Sequence, residues 1–340
     1  MKLSKFELRR ILLAAILVGL ITFGLREIAP GPEAAPDFDG SERGSEVVID
    51  IASGSSGSEI ADHLFNLGVV ASPLAFFRIA VADKRSSRIA PGEHRIERKI
   101  SAKEALTQLL DPERIINLIR IRDGARKFEI EEALKAAGFS NSEIAVAFKQ
   151  VKVKPPFQAN RLEGLLYPAF YPIAKEDDAT SIVQAMVNRF EASTREFIWS
   201  YKDFEPYELL TIASLVESEG VPEDFPKVAQ VVYNRLKVGM PLQFDSTIHY
   251  IFNRRGDIQL SIKDTQKKSP YNTFLNRGLP PGPIGSPTLA ALEATLKPEP
   301  GPWLYFVTVL PKQTRFTANY DEFLQFKAEY KENFAAGKFE

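Results

Sequence analysis

The stretch LLTIASLVESEG, Leu209 to Gly220, constrains the fold more than any other, because it is apolar around most of a helical circumference yet carries two carboxylates. A helix of that kind has to be enclosed by other elements. With Leu209 at zero and about 100° per residue, Leu209, Ala213 and Val216 cluster near zero, and Thr211, Ser214 and Ser218 take the opposite side. Glu217 falls at about 80°, between Leu210 and Ala213, and Glu219 at about 280°, between Ile212 and Leu215. Neither acid lies on the polar side, where a solubilising glutamate belongs, and the two diverge too far to share a proton. Gly220 and Pro222 stop the helix directly afterwards. The last turn is the negative end of the helix dipole, and partial burial against Leu210 acts in the same direction, so both effects favour a protonated carboxyl near neutral pH. That is the state a general acid needs. The competing reading of the same geometry is a structural one, with the acids paired to Arg235 or Lys227.

The 340 residues suffice for two or three modest domains. With 44% hydrophobic and 26% charged residues and a net charge of -1, the chain lacks the basic excess that nucleic-acid binding favours. It has no cysteine, which excludes disulfide and thiolate chemistry. His63, His94 and His249 have no metal-ligand spacing, so no metal or other cofactor is expected.

Lys2, Lys5, Arg9 and Arg10 precede the uncharged run Ile11–Leu25. At about 1.5 Å per residue this run is shorter than a roughly 30 Å hydrocarbon core, but Phe6 and Leu8 extend it and Arg10 and Arg26 can snorkel. Residues 1–28 are therefore read as a cytoplasmic N-terminus and a single uncleaved anchor, with the rest of the chain translocated. A cleaved signal peptide is the alternative, for which EAAPD offers a poor processing site. Residues 29–46, rich in proline, glycine and acids, read as a flexible tether.

Beyond the tether, VVIDI reads as a strand and SEIADHLFNLG as a helix stopped by Gly68. ASPLAFFRIAVAD reads as a helix with Ser72 as N-cap and Pro73 in its first position, and APGEHRIER as a turn and a strand. This strand–helix–helix–strand order, over residues 47–113, fits a small LysM-type module or, equally, a spacer with no ligand of its own. A helix, SAKEALTQLL, and a strand, INLIRIRDG, come next. Two short helices, KFEIEEALKAAG and NSEIAVAFKQ, form an accessory segment near 125–155. LEGLLYPAFYPI is read as a loop, and the chain beyond it as mostly helical until a late strand pair in WLYFVTVL and TRFTA.

Downstream of the two acids, VVYNRLKVGMPLQFDSTIHY, SPYNTFLNRGLPPGPIGSP and WLYFVT set polar residues among prolines and glycines, which fix side chains at little further entropic cost. Tyrosine, asparagine and glutamine are hydrogen-bonding partners for sugar hydroxyls and N-acetyl amides. The plain alternative for GLPPGPIGSP is a rigid surface turn ahead of the helix TLAALEATL. Taken in order, LEGLLYP, ASLVESE, YNRL…GMPLQ.D.T, SPYNT and GLPPGPI make the chain resemble the endolytic murein transglycosylase (YceG-like) family over essentially its whole length. Three positions depart from the family pattern: Ser246, where a proline usually follows the aspartate, Ser286, where an asparagine is expected, and Arg315, where a histidine is common.

The resemblance implies an α+β protein with an N-terminal transmembrane helix, the LysM-like βααβ module, and a mostly helical lysozyme/transglycosylase-like catalytic domain over 114–340 that ends with the late strand pair. It implies a lyase that cuts the β-1,4 bond between N-acetylmuramic acid and N-acetylglucosamine in nascent glycan strands, leaves 1,6-anhydro ends and terminates elongation at the bacterial inner membrane. Glu217 occupies the family's catalytic position. Gln243, Asp245, Tyr271 and Asn272 are expected to position substrate or orient Glu217, Glu163 to support the site from behind, and Glu219 to be structural. The expected partners are peptidoglycan strands and, given the anchor, peptidoglycan synthases (penicillin-binding proteins); nucleic acid is not expected. Two rival readings stand beside this one: a lysozyme-like hydrolase using Glu217 and Asp245, and a catalytically silent peptidoglycan-binding scaffold.

Overall fold

The computed structural model describes residues 35–52, 54–255 and 260–339. The anchor expected at residues 1–28 lies outside them, and no helix among the described residues is long and apolar enough to cross a membrane. The fold is α+β, mostly helical, with three two-stranded sheets among the described residues. The chain divides into two compact units. Of the described residues, one takes those up to Ile49 with Ser55–Ile89 and Arg95–Asp111, and the other takes those of Asp50–Gly54, Ala90–His94 and the chain from Pro112 onward.

The smaller unit holds α1 (Gly57–Asn66), α2 (Pro73–Ala82), α3 (Ala102–Leu109) and parts of two paired strands, β1 (Glu46–Ile51) as far as Ile49 and β2 (Gly92–Glu97) from Arg95 onward. Local chemistry sets its boundaries. Ser56 and Glu59 form a capping box at the start of α1, and Gly68 takes a φ of +71° just past its end. Ser72 caps α2 and Pro73 opens it, as the sequence suggests. Residues 36–45, within the expected tether, are tied along this unit. Ser72 Oγ donates to the Pro36 carbonyl at 2.9 Å, the Ala102 amide to Asp37 at 2.9 Å, and the Gly44 amide to the Arg98 carbonyl at 2.9 Å.

The larger unit begins with β3 (Leu118–Arg120), α4 (Lys127–Ala136) and α5 (Asn141–Gln150), followed by β4 (Phe170–Pro172) and α6 (Ala179–Ser193). These share one core, in which Ile119, Ile130, Leu134, Ile144, Val183 and Met186 are buried. β4 comes from LEGLLYPAFYPI, which the sequence presents as a loop. Its glycine and prolines lie at or outside the pairing, so Ile119 and Tyr171 still meet in an antiparallel ladder with β3, and Pro172 only ends it.

The remaining elements are α7 (Pro206–Glu219), α8 (Phe225–Lys237), α9 (Asp245–Ile251), α10 (Ile262–Thr265), α11 (Leu289–Leu296), β5 (Tyr305–Leu310), β6 (Gln313–Thr317) and α12 (Tyr320–Ala335). β5 and β6 are the late strand pair, antiparallel, with a register shift between Thr308 and Leu310. α7 packs on α8 and α11, and every residue from Leu209 to Val216 is buried. That includes Thr211 and Ser214, so the polar side of the helical wheel is covered there and faces water only at Ser218. It docks the GLPPGPIGSP loop: Ser214 Oγ accepts the Ile284 amide at 3.0 Å and donates to the Thr211 carbonyl at 2.7 Å.

The end of this loop is clamped to the turn that precedes α4. The Gly124 amide donates to the Ser286 carbonyl at 3.0 Å, and the Ser286 amide to the Ala125 carbonyl at 2.8 Å. A methyl group on Gly285 would stand 2.5 Å from the Gly124 carbonyl oxygen, which is backbone and has little room to yield. Gly285→Ala should therefore lower stability by about 1–3 kcal/mol, the usual cost of overpacking, read as a fall in thermal midpoint by calorimetry.

Candidate active site

Glu217 sits in the last turn of α7 and is half-buried. Its Oε2 accepts two hydrogen bonds from Thr288, the amide at 2.9 Å and the hydroxyl at 2.6 Å. Thr288 is the N-cap of α11, and its Oγ1 also accepts the Ala291 amide. The carboxylate therefore lies at the positive end of one helix while standing near the negative end of its own. Burial raises its pKa above the ordinary glutamate value; the Thr288 hydrogen bonds oppose this, and Asp123 adds to it. An amide can only donate, so Oε2 stays an acceptor and the acid's proton belongs on Oε1. Among the described residues Oε1 accepts no hydrogen bond.

Glu219 has a parallel arrangement. Its Oε1 accepts the amide of Ser246, in the first turn of α9, at 3.2 Å. Burial pushes its carboxyl up to about 7, against the hydrogen bond from Ser246. Neither glutamate forms an ion pair among the described residues. Arg235 donates to the Leu242 and Leu304 carbonyls, and Lys227 faces Glu299 at 3.9 Å.

Although the helical wheel sends Glu217 and Glu219 in divergent directions, both line one cleft of about 610 Å³, together with Asp123, Asp245 and His249. The cleft wraps the end of α7, where a wheel drawn for the middle of a helix no longer describes access. Arg126 closes its inner side. The Arg126 guanidinium is buried, donates to the carbonyls of His249 and Arg254 at 3.0 and 3.1 Å, and lies 5.6 Å from the Tyr250 ring centre.

Tyr250 leads to Glu163. Its hydroxyl donates to Glu163 Oε2 at 3.0 Å, and the Lys127 amide donates to Oε1 at 2.9 Å. Burial pushes the Glu163 carboxyl up to about 7. Glu163, Tyr250 and Tyr271 line a second cavity of about 410 Å³, with the two tyrosine rings 4.9 Å apart. Glu163 and Tyr271 are thus together, in a cavity other than that of Glu217, and Arg126 reaches from one toward the other through Tyr250.

The other expected site residues lie elsewhere. Gln243 is exposed, with a φ of +50° and its amide bonded to the Thr273 carbonyl. Asn272 is fully buried. Its side chain donates to the Thr265 and Lys267 carbonyls and accepts the Phe274 amide, so its present work is to shape its own loop. Thr288, Asp123, Tyr250 and Arg126 escaped the sequence reading. Thr288 carries a local signal, a threonine opening an apolar helix, but only tertiary structure shows that it faces Glu217.

The order and content of this site can be set beside known proteins. A family model described as YceG-like matches residues 49–329. The chain belongs to the YceG-like family. An endolytic murein transglycosylase of Bacillus subtilis is 31% identical over 310 residues, covering 84% of this chain and 84% of the relative. One of Streptococcus pneumoniae is 30% identical over 315 residues, covering 81% of this chain and 56% of that longer protein. The crystal structure of a YceG-like protein from Listeria monocytogenes has a similar fold, with a TM-score of 0.54 at 23% identity, covering 83% of this chain and 98% of that one.

Of the three positions singled out in the sequence, Ser246 lines the cleft and Ser286 is bonded to the Gly124 turn behind it. A proline at 246 would have no amide hydrogen and could not make the backbone bond from residue 246 to Glu219. Ser286 is buried beside the Gly124 turn, and its hydroxyl lacks a protein partner among the described residues. Arg315 pairs with Glu329 at 3.6 Å.

Thr288→Val keeps the amide and the shape of the side chain but deletes the hydroxyl that both caps α11 and bonds Glu217. The lost cap should destabilise by about 1 kcal/mol. The bond to Glu217 favours the ionised carboxyl, so the variant's Glu217 pKa is higher still. The sign follows: the destabilisation grows as pH rises through the titration of Glu217 and shrinks below it. Urea unfolding of parent and variant at acidic and mildly alkaline pH measures the difference.

Proposed function

We propose that this chain is a lytic transglycosylase of peptidoglycan in which Glu217 serves in turn as acid and base. The observation that carries this reading is the asymmetric carboxyl: one oxygen held by Thr288, the other open to a cleft, and a pKa raised by burial. The endolytic murein transglycosylase names of its relatives point to the same class. In the first step Glu217 gives its Oε1 proton to the glycosidic oxygen as the bond from that oxygen to C1 of the muramoyl residue breaks. In the second, the muramoyl O6 bonds to C1 and its proton passes to the carboxylate. Glu217 ends as it began, no water is consumed, and the product is a 1,6-anhydro end.

The other groups follow from their places. Thr288 orients Glu217 and sets how readily it ionises. Asp123, near enough to disfavour a second negative charge, helps keep the acid protonated before reaction. Glu219 holds the start of α9, and with it Asp245, at the cleft. Glu163, Tyr250 and Tyr271 line a neighbouring hydrogen-bonding cavity suited to sugar hydroxyls or acetamido groups. In this reading the smaller unit is a LysM-like glycan contact, and residues 1–28 anchor the enzyme in the inner membrane. The substrate is then glycan near the membrane, where synthases work.

Asp245 and Asp123 share the cleft with Glu217, which favours a hydrolase as the second reading, since hydrolysis uses a second carboxylate to activate water or to attack directly. Mass spectrometry of glycan strands incubated with the purified protein separates the two. Transglycosylation gives new anhydro ends and hydrolysis gives new reducing ends. Glu217→Gln should reduce the yield of anhydro ends by roughly 10²–10⁴-fold, the contribution of a positioned acid–base group, while circular dichroism shows an unchanged fold. A scaffold would give no new ends with either protein.

A further inference from the structure

The Glu217 cleft has a wall that the proton chemistry leaves unused. It comes from α12, where Lys327, Tyr330 and Phe334 stand on one helical face at spacings of three and four residues. Tyr330 and Phe334 line the cleft, with Thr308 of β5 and with Phe339 just beyond the helix. Lys327 interacts electrostatically with Asp245, which turns this face toward the acids. The three rings form a cluster. Tyr330 and Phe334 have ring centres 5.8 Å apart, Tyr330 and Phe339 meet edge-to-face at 5.5 Å, and Phe334 and Phe339 lie 6.1 Å apart.

A lone exposed phenylalanine is ordinary. Here Phe334 remains 49% exposed although it belongs to a cluster that could bury it, and it opens onto a cleft whose other walls are polar, carrying the carboxylates Asp123, Glu217, Glu219 and Asp245 together with Arg126, Arg254 and Arg255. That pairing of surfaces matches a pyranose ring, which presents a face of C–H groups and a rim of hydroxyls. The face lies flat on an aromatic ring, and the hydroxyls at the rim donate to carboxylates and accept from arginines. A purely apolar ligand would leave the acids unsolvated, and a small polar one would leave the rings uncovered.

We propose that Tyr330, Phe334 and Phe339 form a stacking subsite for a sugar of the glycan strand other than the one being cut, so that the cleft grips a strand over several residues. This rests on the peptidoglycan reading of the same cleft, and its consequence is a preference for long strands over short ones.

Affinity measured on the Glu217→Gln protein, which leaves strands intact, tests it by calorimetry with long glycan strands and with a tetrasaccharide. Phe334→Ala should weaken binding of long strands roughly three- to tenfold, the scale of one lost aromatic contact, and the tetrasaccharide by far less. Phe334→Trp should restore the long-strand affinity. Leu324→Ala, at a residue 44% exposed on the same helix but outside the cleft, serves as the control and should change neither. Equal binding of long strands by Phe334→Ala and its parent, or equal weakening of long and short ligands, would overturn the subsite. Failure of the catalytic reading is seen separately, as the absence of new anhydro ends from the wild-type protein, whatever these affinities are.

Discussion

Two glutamates at the end of α7 each receive an amide hydrogen from the start of another helix, Glu217 from Thr288 of α11 and Glu219 from Ser246 of α9. The geometry of the site depends on this pair of contacts. The first turns of a helix have amides without partners of their own, and a carboxylate answers both that need and the local positive potential. By meeting two such ends, the terminus of α7 fixes where three helices converge. The buried body of α7 makes the junction stiff, since Leu209 to Val216 pack on all sides and Ser214 binds the loop that leads into Thr288.

The same contacts set the chemistry. Burial alone would leave Glu217 too reluctant to ionise to take a proton back, and strong hydrogen bonding alone would leave it too acidic to give one. Desolvation and Asp123 act in one direction and Thr288 in the other, and desolvation is the larger. Because both Thr288 donors converge on Oε2, the balance also has a direction in space, with the exchangeable proton on the oxygen that faces away from α11. The Ser246 amide adds a bond to Glu219 that a proline at this position could not make.

Local elements were legible wherever a local signal existed. Ser72–Pro73, Gly68 and the alternating apolar residues of α1, α2, α4 and α5 mark their helices in the chain itself, and the strand pair β5–β6 announces itself by its β-branched and aromatic residues. β4 was hidden, because three residues flanked by prolines become a strand only when β3 lies alongside. The burial of Thr211 and Ser214 was hidden for a related reason, since a helical wheel assigns polarity but cannot see the proline-rich loop that covers it. At the site, the half-burial of Glu217 beside Leu210 and Ala213 follows from helical spacing. Thr288, 71 residues further on, could be read as a cap but not as the cap that faces Glu217. Contacts between distant segments, such as Tyr250 with Glu163 or α12 with the cleft, leave no trace in periodicity.

The pKa of Glu217 is the most direct test of a buried carboxyl that both gives and takes a proton. Carbon-13 resonances of labelled glutamate carboxyls, with Glu217→Gln used to assign the signal, report it in the free protein. The expected midpoint lies clearly above the ordinary glutamate value of about 4.3. A midpoint at or below that value would mean that Thr288 outweighs burial, that the group is ionised near neutral pH, and that the general acid must be sought elsewhere.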